Sequence, residues 1–148
     1  MIVEVFGIGD ERAMQEALAI RTRVFVDEQG VPPEEEIDEH DRTDRDAVHA
    51  LARSAGGVAV GAGRFYVTDS ATVQVGRMAV VAQARGTGVG AALLSALLRE
   101  AAARGFTRAH LHAQIHARGF YEKAGFRDDG PRLWDAGIEH VPMSLALG

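Results

Sequence analysis

The segment Arg85-Gly86-Thr87-Gly88-Val89-Gly90-Ala91-Ala92 stands where an apolar strand pattern gives way to an apolar helix pattern. The first amides of a helix have no intrahelical partner and lie at the positive end of its dipole, so such a turn can receive an anion. Glycines let a phosphate approach the backbone, and Arg85 adds a permanent charge with fork-shaped donors. A P-loop is excluded, because lysine followed by serine or threonine should close the turn and Gly90-Ala91-Ala92 stands there instead. A dinucleotide fingerprint fits the spacing of Gly86, Gly88 and Ala91. Its context does not, since the next strand, ending Arg108-Ala109-His110-Leu111-His112, offers no carboxylate for a ribose hydroxyl. A glycine turn that binds nothing is the bland alternative.

Other side chains could do chemistry. Tyr121 carries a phenol whose ordinary pKa near 10 keeps it protonated at neutral pH and able to act as an acid; beside Phe120 and Phe126 it also fits simple packing. Glu36, Asp38, His40 and Asp41 cluster in a way that favours a cationic partner, although charge runs also cover ordinary solvated loops. Arg21 interrupts an apolar helix face and is expected to pair with Glu28 or another loop carboxylate. His110 and His112 share a strand face, but no third ligand has a diagnostic spacing, so no metal is expected. With no cysteine, a cysteinyl intermediate and a thiolate metal site are both excluded.

These residues need a scaffold, and the hydrophobic periodicity supplies one. Residues 2–6 read as a strand, and Asp10 caps a helix ending near Val26. Residues 27–46 are polar, acidic and proline-containing, hence mostly loop with at most one helical turn. Three strands follow as an antiparallel meander at 47–53, 58–67 and 72–81. A helix over 88–104, with Val89, Leu93, Leu97, Leu98 and Ala101 on one stripe, stops at Gly105. A strand at 107–113 should lie parallel to the one before Arg85, joined by a right-handed crossover. A short helix over 116–124 and strands near 126–129 and 138–147 complete the pattern.

The 148 residues fit a single domain, 1–148, with one core. A net charge of -5 argues against a nucleic-acid partner, which needs a basic face, and leaves room for cationic substrates. No apolar run is long enough to span a bilayer and the N-terminus lacks a signal-type pattern, so a cytoplasmic protein with no membrane partner is expected.

Arg85-x-x-Gly88-x-Gly90, after Val75-Gly76-Arg77-Met78-Ala79-Val80, resembles the pyrophosphate-binding motif of the GCN5-related N-acetyltransferase (GNAT) superfamily. Gln114-x-x-Ala117-x-x-x-Tyr121-x-x-x-Gly125-Phe126 resembles its second signature, with glutamine where asparagine is usual. Arg21-x-x-Val24-Phe25-Val26-x-Glu28-Gln29, Val31-Pro32, Glu36, Asp38 and Ala136-Gly137-Ile138-x-His140-x-x-Met143 are similar to the bacterial ElaA-like branch.

The resemblance implies a three-layer α/β/α domain whose mixed, mostly antiparallel sheet is split by a V-shaped opening. It implies acetyl-coenzyme A as cosubstrate, its pyrophosphate on the amides of Arg85, Gly86, Gly88, Val89, Gly90 and Ala91, with further contacts from Met78, Val80, Gln114 and Tyr121. The Val80 amide would face the thioester carbonyl, and Tyr121 would protonate the departing thiolate. Transfer would run directly to a primary amine of a small molecule or peptide, contacted by Glu36, Asp38, His40 and Asp41. The central strand offers Gln74 and Arg77 rather than a carboxylate base, so a water relay or a loop carboxylate is left to take the amine's proton. A coenzyme A-binding regulatory module without transfer activity is the alternative, and related proteins often form homodimers.

Overall fold

A computed structural model describes residues 1–42 and 46–148. β1 (Ile2–Phe6), β2 (Ala47–Arg53), β3 (Ala59–Val67) and β4 (Thr72–Val80) pair antiparallel in that order, the last three as the meander the sequence predicts. β5 (Arg108–Gln114) lies parallel to β4, β8 (Ile138–Ala146) lies antiparallel to β5, and the short β6 (Arg127–Asp128) and β7 (Leu133–Asp135) both pair with β8. Among the described residues the eight-stranded sheet thus contains one parallel pair, β4–β5, which is joined through a helix. β7 is the one strand the sequence did not suggest. It is held by a tight turn at Ala136 and Gly137, both with positive φ, in a segment that otherwise reads as loop.

α1 (Glu11–Arg21) starts where expected, the Asp10 carboxylate accepting the Ala13 amide at 3.2 Å. It does not continue as an α-helix to Val26. Residues Thr22–Glu28 are wound as a π-helix, with the Gln29 amide reaching back to the Val24 carbonyl. The wider winding rotates the chain beyond it relative to an α-helical path, and such winding recurs at functional sites. α2 (Pro33–Glu36) and a 3₁₀ turn (Glu39–Asp41) fold the acidic segment more tightly than the expected loop; positions 43–45 of that segment lie outside the described residues. The turn is closed by Asp38, whose carboxylate accepts the His40 amide while its own amide donates to Asp41.

α3 (Val89–Ala103) ends as its sequence predicts. Gly105 takes φ +93°, and the Phe106 amide bonds the Ala101 carbonyl across it. The buried residues of α3 are Val89, Leu93, Leu94, Ala96, Leu97 and Ala101, and Leu98 is half-buried and packs against the core, so Leu94 and Ala96 join the expected stripe. α3 lies close on the sheet because β3 presents Gly61 and Gly63 to it. A Cβ on Gly61 would come within 2.8 Å of Leu93 Cδ1 and Val89 Cγ1 and 3.3 Å of the Ala79 carbonyl. Gly61→Ala should therefore cost about 1–3 kcal/mol of stability through overpacking; an unchanged denaturant midpoint would contradict this contact. α4 (Arg118–Lys123) follows a 3₁₀ turn and sets Phe120 against Gly90 of α3. Among the described residues no helix is long and apolar enough to cross a membrane.

Candidate active site

The site begins with a fault in the meander. On β3 and β4 the register moves from Ala62–Ala79 to Arg64–Gly76, so Gly63 alone faces both Arg77 and Met78. This one-residue bulge puts Arg77 in the left-handed region, at φ +53°. Gly63 accommodates it: a Cβ there would lie 2.5 Å from Met78 Sδ.

The bulge sits where β4 leaves β5. Parallel pairing runs from Thr72–Arg108 only to Val75–Leu111, while β4 continues to Val80 and β5 to Gln114. The two strands diverge and leave an opening in the sheet. Its cavity, of about 650 Å³, is lined by Met78, Val80, Gln114 and Tyr121 and also by Glu35, Glu36, Asp38 and Arg77. Gly61 and Val80 are partners, and the next ladder bond runs from the Val81 amide to the Val60 carbonyl at 3.0 Å. Gly61–Val80 is thus a non-hydrogen-bonded pair, whose own N–H and C=O turn away from each other. The Val80 N–H faces the opening.

Gly86 and Gly88 both take positive φ at the start of α3, and a Cβ on either would meet nothing within 4 Å. No side chain caps the helix, and its first internal bond runs from the Ala92 amide to the Gly88 carbonyl. The amides of Val89, Gly90 and Ala91 therefore point outward as free donors. Arg85 stands beside them, donating to the Val80 carbonyl at 2.9 Å and to Glu28 at 2.7 Å. Glu28 is thus the partner of Arg85, not of Arg21.

Tyr121 is buried between Phe120 and Phe126, with ring centroids 5.0 and 5.9 Å away. Burial alone pushes its phenol up to about 12. Gln114, at the end of β5, exchanges hydrogen bonds with Gln29 at 2.8 and 3.3 Å, tying the π-wound segment across to the far strand of the split.

The acidic cluster is largely an internal framework. Arg21, 1% exposed, donates to Glu36 Oε1 at 2.7 Å and to both oxygens of Asp41 at 2.6 and 2.8 Å. Arg64 binds both oxygens of Asp38 and also reaches Asp41. Arg77 donates to the carbonyls of Glu36 and Glu35 and to Asp38. The bulge is thereby fastened to the acidic segment. Burial opposes ionisation of Asp41, but the Arg21 and Arg64 guanidiniums outweigh it and hold its carboxyl well below the usual range. Of the four expected acceptor contacts, Glu36 and Asp38 line the cavity. Asp41 is buried beneath it, and His40 stacks on Tyr66 at 3.7 Å. His110 and His112 do share a face, their rings 5.3 Å apart, and among the described residues no group of three or more metal-ligating side chains forms.

His49 adds a pH dependence to this framework. Burial, reinforced by Arg21 and Arg64 and opposed by Asp41, lowers its imidazole to about 4. The unfolded chain then binds more protons than the folded one below about pH 6.5. The associated stability is present above that pH and is lost as the pH falls toward 4. Denaturant titrations between these values should show the decline in the wild type and flatten it in His49→Gln; identical slopes would contradict the assignment.

The family model described as the acetyltransferase (GNAT) domain matches residues 13–147. The chain belongs to the GNAT acetyltransferase family. It is 37% identical over 135 residues to the uncharacterized N-acetyltransferase YjcF of Bacillus subtilis (strain 168), covering 90% of this chain and 93% of that protein. An acyl-CoA N-acyltransferase from Pseudomonas aeruginosa and Escherichia coli ElaA share its fold with TM-scores of 0.82 at 27% identity. Each covers 97% of this chain, and 97% and 99% of their own. Acyl transfer is thus the chain's general chemistry, and the split sheet is the GNAT architecture expected from the motifs. Gly61, Gly63 and Arg64, which shape this GNAT site, were not singled out from the sequence. Glycine at alternate positions inside a strand was the available signal for close backbone approach.

Proposed function

We propose that the chain transfers an acetyl group from acetyl-coenzyme A directly to a primary amine of a small molecule or peptide. The observation that carries this is the proximity of two sets of free main-chain donors: the amides of Val89, Gly90 and Ala91 at the head of α3, and the Val80 N–H in the split that α3 adjoins. A diphosphate on the first set extends its thioester toward the second. Arg85 would exchange Glu28 for a phosphate oxygen. Met78, Gln114 and Tyr121 line the path of the pantetheine arm. A fixed donor at the thioester oxygen is worth about 3 kcal/mol of transition-state stabilisation.

The amine approaches from the side of Glu36 and Asp38 and must arrive unprotonated, since an ammonium has no lone pair. As its nitrogen bonds the acyl carbon, charge collects on oxygen facing Val80; the nitrogen then gives a proton to a water relay or a loop carboxylate, the carbon–sulfur bond breaks, and the electron pair leaves on sulfur, which a proton from solvent converts to the free thiol. Tyr121 is the donor placed to meet that thiolate. Because a thiol, near 8.5, is a stronger acid than this phenol, Tyr121 serves it as a hydrogen-bond donor rather than by complete proton transfer. His40 and Asp41 support the acceptor wall through Asp38 and Arg64 rather than by touching the amine.

Tyr121→Phe should lower kcat about 10²–10³-fold with coenzyme affinity unchanged; an undiminished kcat would remove Tyr121 from the chemistry. The whole assignment is tested by a thiol-release screen over polyamines, amino acids, aminoglycosides and peptide amines. Amine-dependent release is expected. Coenzyme binding with no release from any amine would favour a regulatory coenzyme A-binding module.

A further inference from the structure

The segment Ala136-Gly137-Ile138-x-His140 turns β7 back into β8 and delivers His140 to the wall of the split. His140 stands directly opposite Gln114 in the β5–β8 register and opposite Leu133 on β7. Opposed residues share a face of the sheet, and His112, two positions before Gln114, shares it too. His112, Gln114, Asp135, Ile138 and His140 all line the cavity.

The ring of His140 is held in one orientation. Its Nδ1 lies 2.7 Å from the Ile138 carbonyl. A carbonyl only accepts, so Nδ1 carries the proton and the neutral ring keeps its lone pair on Nε2. His140 is 8% exposed, yet Nε2 bonds to nothing among the described residues and is not one of the atoms sealed from solvent. Its access is to the cavity that the residue lines.

The transfer needs an atom of this kind, because attack leaves the amine nitrogen with a proton to lose. The carboxylates of the acidic segment are poorly suited to take it. Asp38 accepts from Arg64, Arg77 and the His40 amide, and Glu36 Oε2 is sealed. Glu28 holds Arg85. Glu35 and Asp135 line the cavity from exposed positions, and a solvated carboxylate is a weaker base than an imidazole. His112, His116, Tyr121 and Asp135 are the other titratable groups that β5, the turn after it, α4 and β7 bring to the cavity. Burial, reinforced by His140 and opposed by Asp135, lowers the His112 imidazole, and no hydrogen bond fixes its ring among the described residues.

We infer that His140 Nε2 receives the proton of the attacking amine, at the end of the water relay. This rests on the proposed transfer. The nitrogen lone pair forms the bond to the acyl carbon, an N–H bond breaks, and its electron pair stays on nitrogen while the proton passes through water to Nε2. The Ile138 carbonyl stabilises the resulting imidazolium at Nδ1, and the ring returns its proton to solvent before the next turnover.

The test combines kinetics with imidazole NMR. On the amine that releases thiol fastest in the screen, His140→Ala should lower kcat about 10²–10⁴-fold with coenzyme A affinity unchanged, and free imidazole should recover about tenfold of that loss. A purely structural histidine would not be replaced by imidazole in solution. A kcat within about threefold of the wild type, or no recovery in a variant that still binds coenzyme A, would overturn the inference. Should the variant not fold, nitrogen-15 spectra of the wild-type histidines decide, recorded with coenzyme A at about pH 9, above the ordinary imidazole range. A proton on Nδ1 of His140 supports the inference, and a proton on Nε2 overturns it. A wild type that releases thiol with no amine defeats the proposed function and this inference together, whereas a defect missing from His140→Ala alone defeats only this one.

Discussion

Arg21→Met should lower the free energy of unfolding by about 3–5 kcal/mol, the range for removing one partner of a buried ion pair. Methionine fills much of the same volume but strands Glu36 Oε1 and takes two of the donors from Asp41, in a site that is closed to compensating water. The corresponding drop in melting midpoint is roughly 10 °C. The damage should be local as well as global, because Arg21 holds the Pro33–Asp41 segment that forms the acceptor wall. Denaturant unfolding measures the first effect. A loss below about 1 kcal/mol would mean that the framework is solvated and that its arginines are surface residues in energetic terms.

Gly88→Glu should weaken coenzyme A binding by at least about 100-fold, since a like charge placed against a diphosphate costs several kcal/mol and each 1.4 kcal/mol is tenfold. Gly88 is suited to this test because its φ is +88° and the space beside it is empty, so the carboxylate lies where the phosphate must sit. The backbone conformation itself strains any side chain by about 1–2 kcal/mol. Gly88→Ala separates the two effects: it carries the strain without the charge, so it should lose comparable stability but far less affinity. Calorimetric titration that gave the two variants the same affinity would show that no anion binds at this turn.

The parts of this fold legible in the sequence are those fixed by local periodicity. The strands at 47–53, 59–67 and 72–80 announce themselves as runs set apart by turn signals at Gly56-Gly57 and Asp69-Ser70, and α3 by its stripe and the Gly105 stop. The glycine turn was readable because a helix head with free amides is a local property of Arg85 through Ala91. The bulge was not, since Arg77 and Met78 oppose a single residue only by virtue of what pairs across from them. The π-wound segment carries an ordinary helical pattern, and its winding, which brings Val24, Glu28 and Gln29 to the cavity wall, has no local signal along the chain. Glu36, Asp38 and Asp41 look like a solvated acidic run when read alone. They become an interior framework only when Arg21, Arg64 and Arg77 arrive from three other elements, a coincidence of tertiary structure that spacing along the chain does not encode.

The central claim is that the head of α3 holds a diphosphate and the adjoining split holds its thioester. Backbone amide NMR during titration with acetyl-coenzyme A addresses both ends at once. The account predicts the largest shifts at Gly86, Gly88, Val89, Gly90 and Ala91, with a second group at Val80. Shifts confined to other surfaces, with these amides unmoved at saturating coenzyme, would contradict it.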